Sequence, residues 1–222
     1  MSASRRFVLA AALIAAPALA AEKDKEVGAV EDLMREHGVL RRAYLVYAEC
    51  IPGLEKDPAK VDARALNDTA RLFRAFGEDY HERKLEEAHI FPAVKKAGGP
   101  AAAYVPVLLQ QHSRGREITD FIIVSTAGAR VRDGAALASA FRGFALMYAN
   151  HTAREDTVLF PAWKAALSES QLEEMGDKFE DIEKATFGRD GFDDAVEKIG
   201  RIEQTLGLAQ IAQFTAPPPP KA

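Results

Sequence analysis

The chain has 222 residues, a formal charge of −4 and a single cysteine. That length is enough for one domain with a real core, and the lone Cys50 excludes an intrachain disulfide framework. No basic patch points to nucleic acid.

Residues 1 to 20 read as a cleaved export signal. Arg5-Arg6 is a short basic start, Phe7 to Ala20 is an apolar run too short for a membrane span, and Ala18-Leu19-Ala20 fits a small-x-small cleavage site. Ser4 to Leu9 also resembles the twin-arginine pattern, and the general secretory route fits as well. Removing the two leader arginines takes the formal charge from −4 to −6. The expected result is an exported, periplasmic or secreted protein without stable membrane insertion after processing.

Apolar stripes at the helical period run through most of the mature chain, and strand-like alternation is absent. A first helix, from about Gly28 to Glu49, turns Val30, Leu33, His37, Leu40, Tyr44 and Tyr47 inward. Ile51-Pro52-Gly53 is expected to end it, and Asp57-Pro58 to start the next with an N-cap and a first-position proline. The second helix runs to about Lys96, with Leu66, Ala70, Phe73, Gly77 and His81 inward. Gly98-Gly99-Pro100 then breaks the chain. A third helix, about Ala102 to Ser125, faces Leu108, His112, Gly115, Thr119 and Ile122 inward. Asp133 caps a fourth, on which Leu137, Phe141, Phe144, Tyr148 and His151 recur at steps of three and four. Ser168 with Gln171 reads as the capping box of a fifth helix to about Lys184, and a sixth runs from about Asp190 to Leu206. Pro217 to Pro220 make an extended tail. The expected fold is all-α: an antiparallel up-down four-helix bundle over 27–167, a helical extension over 168–207 and a Pro-rich tail over 208–222.

The chemistry concentrates in an internal repeat. Tyr80 to Lys95, YHERKLEEAHIFPAVK, and Asn150 to Lys164, NHTAREDTVLFPAWK, share an apolar–Phe–Pro–Ala–x–Lys ending. Each has a glutamate five residues before the Phe, Glu86 or Glu155, and a histidine further upstream, His81 or His151. His151 and Glu155, four residues apart, stack on one helical face. His81 and Glu86 are five apart, which a regular helix splays and a π-bulge accommodates. A regular helix would instead put Glu82, Glu86 and His89 on one face and move His81 off it. Four of the five histidines therefore fall on inward stripes, one per helix: His37, His81, His112 and His151. Buried imidazoles and carboxylates need partners, and a metal ion satisfies both. Such mixed donors suit iron, manganese or zinc.

These features resemble the hemerythrin-like (HHE cation-binding) domains. The matching stretches are His37 in EDLMREHGVLRR, His81 with Glu86 in YHERKLEEAHIFP, His112 in LLQQHSRGRE, and His151 with Glu155 in HTAREDTVLFP, over roughly Val27 to Leu167. The resemblance implies two iron ions, bridged by carboxylates and an oxo or hydroxo group, inside a four-helix bundle. His37, His81, Glu86, His112, His151 and Glu155 are then the ligands, with Glu86 and Glu155 bridging. Oxygen-carrying members have a further histidine where this chain has Arg116, which leaves water, Glu82 or His89 to complete one metal. Glu36, Glu82, Glu117 and Asp156 are available to orient the histidines. Three alternative functions are weighed, the first preferred. They are binding of O2 or NO for storage, delivery or sensing; redox turnover of peroxide or nitric oxide, or repair of iron centres; and metal storage or a metal-switched structural domain.

Overall fold

A computed structural model describes residues 27–128 and 130–220. The export segment expected at 1–20 lies outside them. No strand occurs among the described residues, and no helix there is long and apolar enough to cross a membrane.

Helix α1 spans Ala29–Lys56, with Glu31 and Asp32 in its first turn and Lys56 in its last, as the helix dipole favours. Contrary to expectation, Ile51-Pro52-Gly53 lies inside it. Proline costs one helical hydrogen bond here. Burial of Leu54 holds the last turn, and the Asp57 N–H closes on the Gly53 carbonyl at 2.9 Å. Asp57 also holds the expected N-cap position before Pro58, but its side chain makes no cap bond and the element it starts is only a single turn. A short 3-10 turn, Pro58–Lys60, intervenes, and Asp62 caps α2 by accepting the Ala65 N–H at 3.0 Å.

Helix α2 has three parts: regular over Ala63–Leu72, widened to i→i+5 hydrogen bonding over Phe73–Ile90, and regular again over Phe91–Ala97. A one-turn helix, Gly99–Ala102, follows Gly98, and both Gly98 at 77° and its own first residue Gly99 at 75° have positive φ. Helix α3 is Val105–Ser125. Helix α4 runs Gly134–Arg154 from its Asp133 cap, widens over Glu155–Leu159 and ends as Phe160–Ala165. Helix α5, Glu169–Phe187, opens with the expected Ser168/Gln171 capping box, and α6 spans Gly191–Leu206 behind its Asp190 cap. The tail forms one 3-10 turn, Ile211–Phe214, before its proline run.

Side-chain pairs fix how these rods lie. Between α1 and α4, Arg142 donates to Glu55, Tyr47 stacks on Phe141 at 4.3 Å, and His37 meets Asp156. Between α2 and α3, Asn67 donates to Thr126 at 2.9 Å, Thr119 to Glu78 at 2.6 Å, and His112 meets Glu87. Tyr80 donates to Glu36 across α1 and α2, and His112 meets His151 across α3 and α4. Between α2 and α3, rising numbers on one helix meet falling numbers on the other, and the outer α1/α4 contacts, 37 with 156 and 55 with 142, run the same way. Tyr47, Phe73, Phe141, Phe144 and Tyr148, each at most 1% exposed, form an aromatic layer beneath the histidines. Burying each such ring contributes about 1.5–3 kcal/mol.

Helices α5 and α6 pack on α1 and α2, and α5 also reaches the end of α4. Phe179 stacks on Trp163 at 5.7 Å, and Phe187 meets Tyr80 edge-on at 5.2 Å. Arg42 Nε donates to Glu203 at 2.8 Å, and the Arg35 guanidinium sits 4.3 Å over the Phe192 ring.

Candidate metal centre

Four imidazoles converge in pairs. His37 and His81 bring their Nε2 atoms to 3.0 Å of each other, and His112 and His151 do the same at 3.1 Å. All four residues are buried, His151 being the most exposed at 3%. The outward Nδ1 atom of every ring donates to a fixed acceptor. His37 donates to Asp156 at 2.7 Å, His81 to Glu36, His112 to Glu87 at 2.9 Å and His151 to Gln111 at 2.9 Å. That arrangement places the proton on Nδ1 and aims the Nε2 lone pair inward. Two lone pairs 3.0 Å apart repel unless a proton or a cation lies with them.

The carboxylates of Glu86 and Glu155 stand between the two histidine pairs. Glu86 Oε1 is 3.4 Å from His81 Nε2, and its Oε2 is 3.3 Å from His112 Nε2. Glu155 Oε2 is 2.9 Å from His151 Nε2 and 3.6 Å from His37 Nε2. Both glutamates are 0% exposed, and none of their four oxygens has a partner in hydrogen-bonding geometry. An orphaned buried carboxylate is costly. Two of them facing four lone-pair nitrogens fit a pair of cations. Donor atoms of Glu86, His112, His151 and Glu155 lie within 4.8 Å of one another, as do those of His37, His81 and Glu86.

The widened turns place these donors. His81 and Glu86 share a face because α2 carries i→i+5 bonding there, with the Phe91 N–H reaching the Glu86 carbonyl. The regular-helix alternative, with His81 turned away, is not the observed geometry. A second widening over Glu155–Leu159 closes the same way, Phe160 N–H to the Glu155 carbonyl. The four-residue spacing of His151 and Glu155 gives no hint of it. In both copies a proline comes after the Phe, and a wider turn relieves the clash between its ring and the preceding turn. Each Phe then stacks on a histidine of another helix: Phe160 of α4 on His37 of α1 at 5.3 Å, Phe91 of α2 on His112 of α3 at 5.4 Å.

Two of the sequence candidates stand apart. His89 is half-exposed, 5.9 Å from the Phe179 ring, and offers nothing to the cluster. Glu82 is buried but points elsewhere: Tyr148 donates to its Oε1 at 2.7 Å and Arg116 to its Oε2 at 3.1 Å. Its nearest approach to an imidazole, 3.9 Å, is to the outward Nδ1 of His112. Arg116 also pairs with Glu87, so it offers charge to the outer ring and no lone pair to the inner one. Tyr148 reaches Glu82 only because residue 115 is glycine; a Cβ there would meet the phenol oxygen at 2.0 Å. Of the expected orienting residues, Glu36 and Asp156 hold histidines, whereas Glu117 is exposed and pairs with Arg114 at 2.8 Å. Glu87 and Gln111, missed from sequence, hold the other two.

The electrostatics are those of a site holding protons where cations would fit. Burial pushes His37 and His151 below the ordinary histidine range. His81 is held well above it: burial opposes, but Glu86 and Glu36 outweigh it. His112 is pushed up to about 10, because Glu82, Glu86 and Glu87 outweigh burial. Burial likewise opposes charge on Glu86, yet His81 and His112 hold it well below the carboxylate range. Glu155 is driven well above by burial and by the charge on Glu86.

A family model described as the hemerythrin HHE cation binding domain matches residues 28–163. The chain is 42% identical over 197 residues to uncharacterised proteins of Mycobacterium bovis (strain ATCC BAA-935 / AF2122/97) and Mycobacterium tuberculosis (strains CDC 1551 / Oshkosh and ATCC 25618 / H37Rv), covering 87% of this chain and 76% of each relative. No solved structure gives a significant match.

Proposed function

Because this chain belongs to the hemerythrin HHE cation-binding domain family, we propose that it is a non-haem di-iron protein. Its role in this reading is to bind dioxygen or a similar small diatomic for storage, delivery or sensing. Helices α1 to α4 are its antiparallel up-down four-helix bundle, and α5 and α6 are an extension of it. In this reading His37 and His81 would hold one ion and His112 and His151 the other, with Glu86 and Glu155 shared between the two. The observation that carries this is the pair of buried carboxylates whose four oxygens all lack a hydrogen-bond partner while Glu86 and Glu155 Oε2 face the four inward nitrogens. When bound, the iron pair supplies reversible one-electron redox chemistry toward small oxygen and nitrogen species; manganese or zinc fits the same donors.

The chain's own residues do the rest. Asp156, Glu36, Glu87 and Gln111 fix each ring so that only Nε2 faces inward. Phe160, Phe91 and Tyr148, the last 5.4 Å from His151, wall the cluster and admit only small ligands. A second reading, redox turnover of peroxide or nitric oxide, is favoured by one observation: Arg116, bound to Glu82 and Glu87, supplies no fifth imidazole.

Metal analysis of the purified protein, then optical spectra of the iron-loaded form with and without oxygen, tests both. Two equivalents of iron with a reversible oxygen-dependent charge-transfer band support binding. Rapid peroxide consumption supports turnover. Easy metal loss with no oxygen response supports metal storage or a structural switch. The basic start Arg5-Arg6 and the apolar run Phe7 to Ala20 support reading 1–20 as a cleaved export leader; N-terminal sequencing of the mature protein tests it.

A further inference from the structure

The site has an internal two-fold pattern, and one residue breaks it. Glu36-His37 with Arg41 four residues beyond the histidine corresponds to Gln111-His112 with Arg116. His81 with Glu86-Glu87 corresponds to His151 with Glu155-Asp156. The contacts obey the same correspondence. Asp156, paired with Arg41, holds His37, and Glu87, paired with Arg116, holds His112. Glu36 holds His81, and Gln111 holds His151. Three imidazoles are therefore backed by a carboxylate and the fourth by a neutral amide of the same shape.

A carboxylate accepting from Nδ1–H makes the opposite nitrogen a stronger donor, and a neutral amide does so much less. His151 is the weakest of the four donors on this ground. The backing groups at its end are also nearer to water. Glu87 is 25% exposed and Gln111 half-buried, whereas Asp156 is 8% and Glu36 1% exposed.

We propose that the two metal positions are unequal, that the one flanked by His112 and His151 is the exchangeable one, and that Gln111 sets the difference as a positioning residue. This rests on the dimetal reading above. It places metal exchange at one defined end of the site.

The test is anaerobic removal of iron(II) from the full-length protein by a competing chelator, tracking stoichiometry. Wild type is expected to release two equivalents in two steps separated by about 10–100-fold. Gln111→Glu keeps the shape and adds the missing charge, so the two steps should converge. Glu36→Gln makes the reverse exchange at the other end and should loosen the tight step. It also serves if Gln111→Glu does not fold. A merely structural Gln111 would not respond to an isosteric change of charge. Release of both equivalents in a single step by wild type would overturn the proposal and leave the dimetal reading standing. So would an unmoved weak step in Gln111→Glu with two irons bound. Fewer than two equivalents in wild type would remove the dimetal reading, and this inference with it.

Discussion

Replacing Glu155 by methionine should make the metal-free protein more stable while impairing metal binding. Glu155 is completely buried, and neither carboxylate oxygen has a hydrogen-bond partner. Methionine has similar length and volume and no polar oxygen. Removing an unsatisfied buried polar group relieves about 1–3 kcal/mol. In a chain of this size each kcal/mol moves Tm by about 2–4 °C, so the metal-free variant should melt about 2–12 °C above metal-free wild type. Metal reverses the order. Iron(II) at a hundredfold excess over Kd adds about 2.7 kcal/mol to wild type. The variant lacks the oxygen 2.9 Å from His151 and 3.6 Å from His37 and should gain much less. Scanning calorimetry of metal-stripped and iron-loaded forms measures all four values. A metal-stripped Glu155→Met that melts below metal-stripped wild type would contradict this account, because Glu155 would then be stabilising the empty site by itself.

Four further outcomes are expected. His89→Ala should keep full metal stoichiometry, since His89 lies against Phe179 outside the cluster; loss of one equivalent on metal analysis would count against this placement. Metal binding should strengthen with pH, by up to about tenfold per unit for each proton displaced, because His112, pushed up to about 10, must lose its proton to bind. In the metal-free protein the sign is opposite. A histidine raised on folding contributes full stability below its ordinary 6.5, and that contribution is lost as pH rises through about 10, so metal-free protein should melt lower at pH 9.5 than at pH 7. Gly115→Ala should destabilise by about 1–3 kcal/mol, because its Cβ would meet the Tyr148 oxygen at 2.0 Å. Tyr148→Phe should recover part of that loss in denaturant titrations, and a purely additive double mutant would argue against the contact.

The helical stripes were legible because burial repeats at the helical period. That placed His37, His81, His112 and His151 one per helix, and the five-residue spacing of His81 and Glu86 signalled the wide turn. The outer ring was less legible for a definite reason. Glu36, Glu87, Gln111 and Asp156 each adjoin an inward ligand in sequence, which turns them about 100° toward a neighbouring helix. Periodicity says which residues leave the inner face but not which helix stands beside them, so Glu87 and Gln111 could not be separated from an exposed charge such as Glu117. Pro52 misled in the opposite direction. A local breaker rule was overridden by Leu54, whose burial depends on the helices packed around it.

The grip of α6 on α1 has a mechanical consequence. Arg35 under Phe192 and Arg42 on Glu203 lie on the same helix as Glu36 and His37, one step around its circumference. Helix α6 therefore works as a splint on the rod that carries His37 and the Glu36 that holds His81. Any force or partner that pried it away would act first on the orientation of His37 and His81, far along the chain from where it took hold.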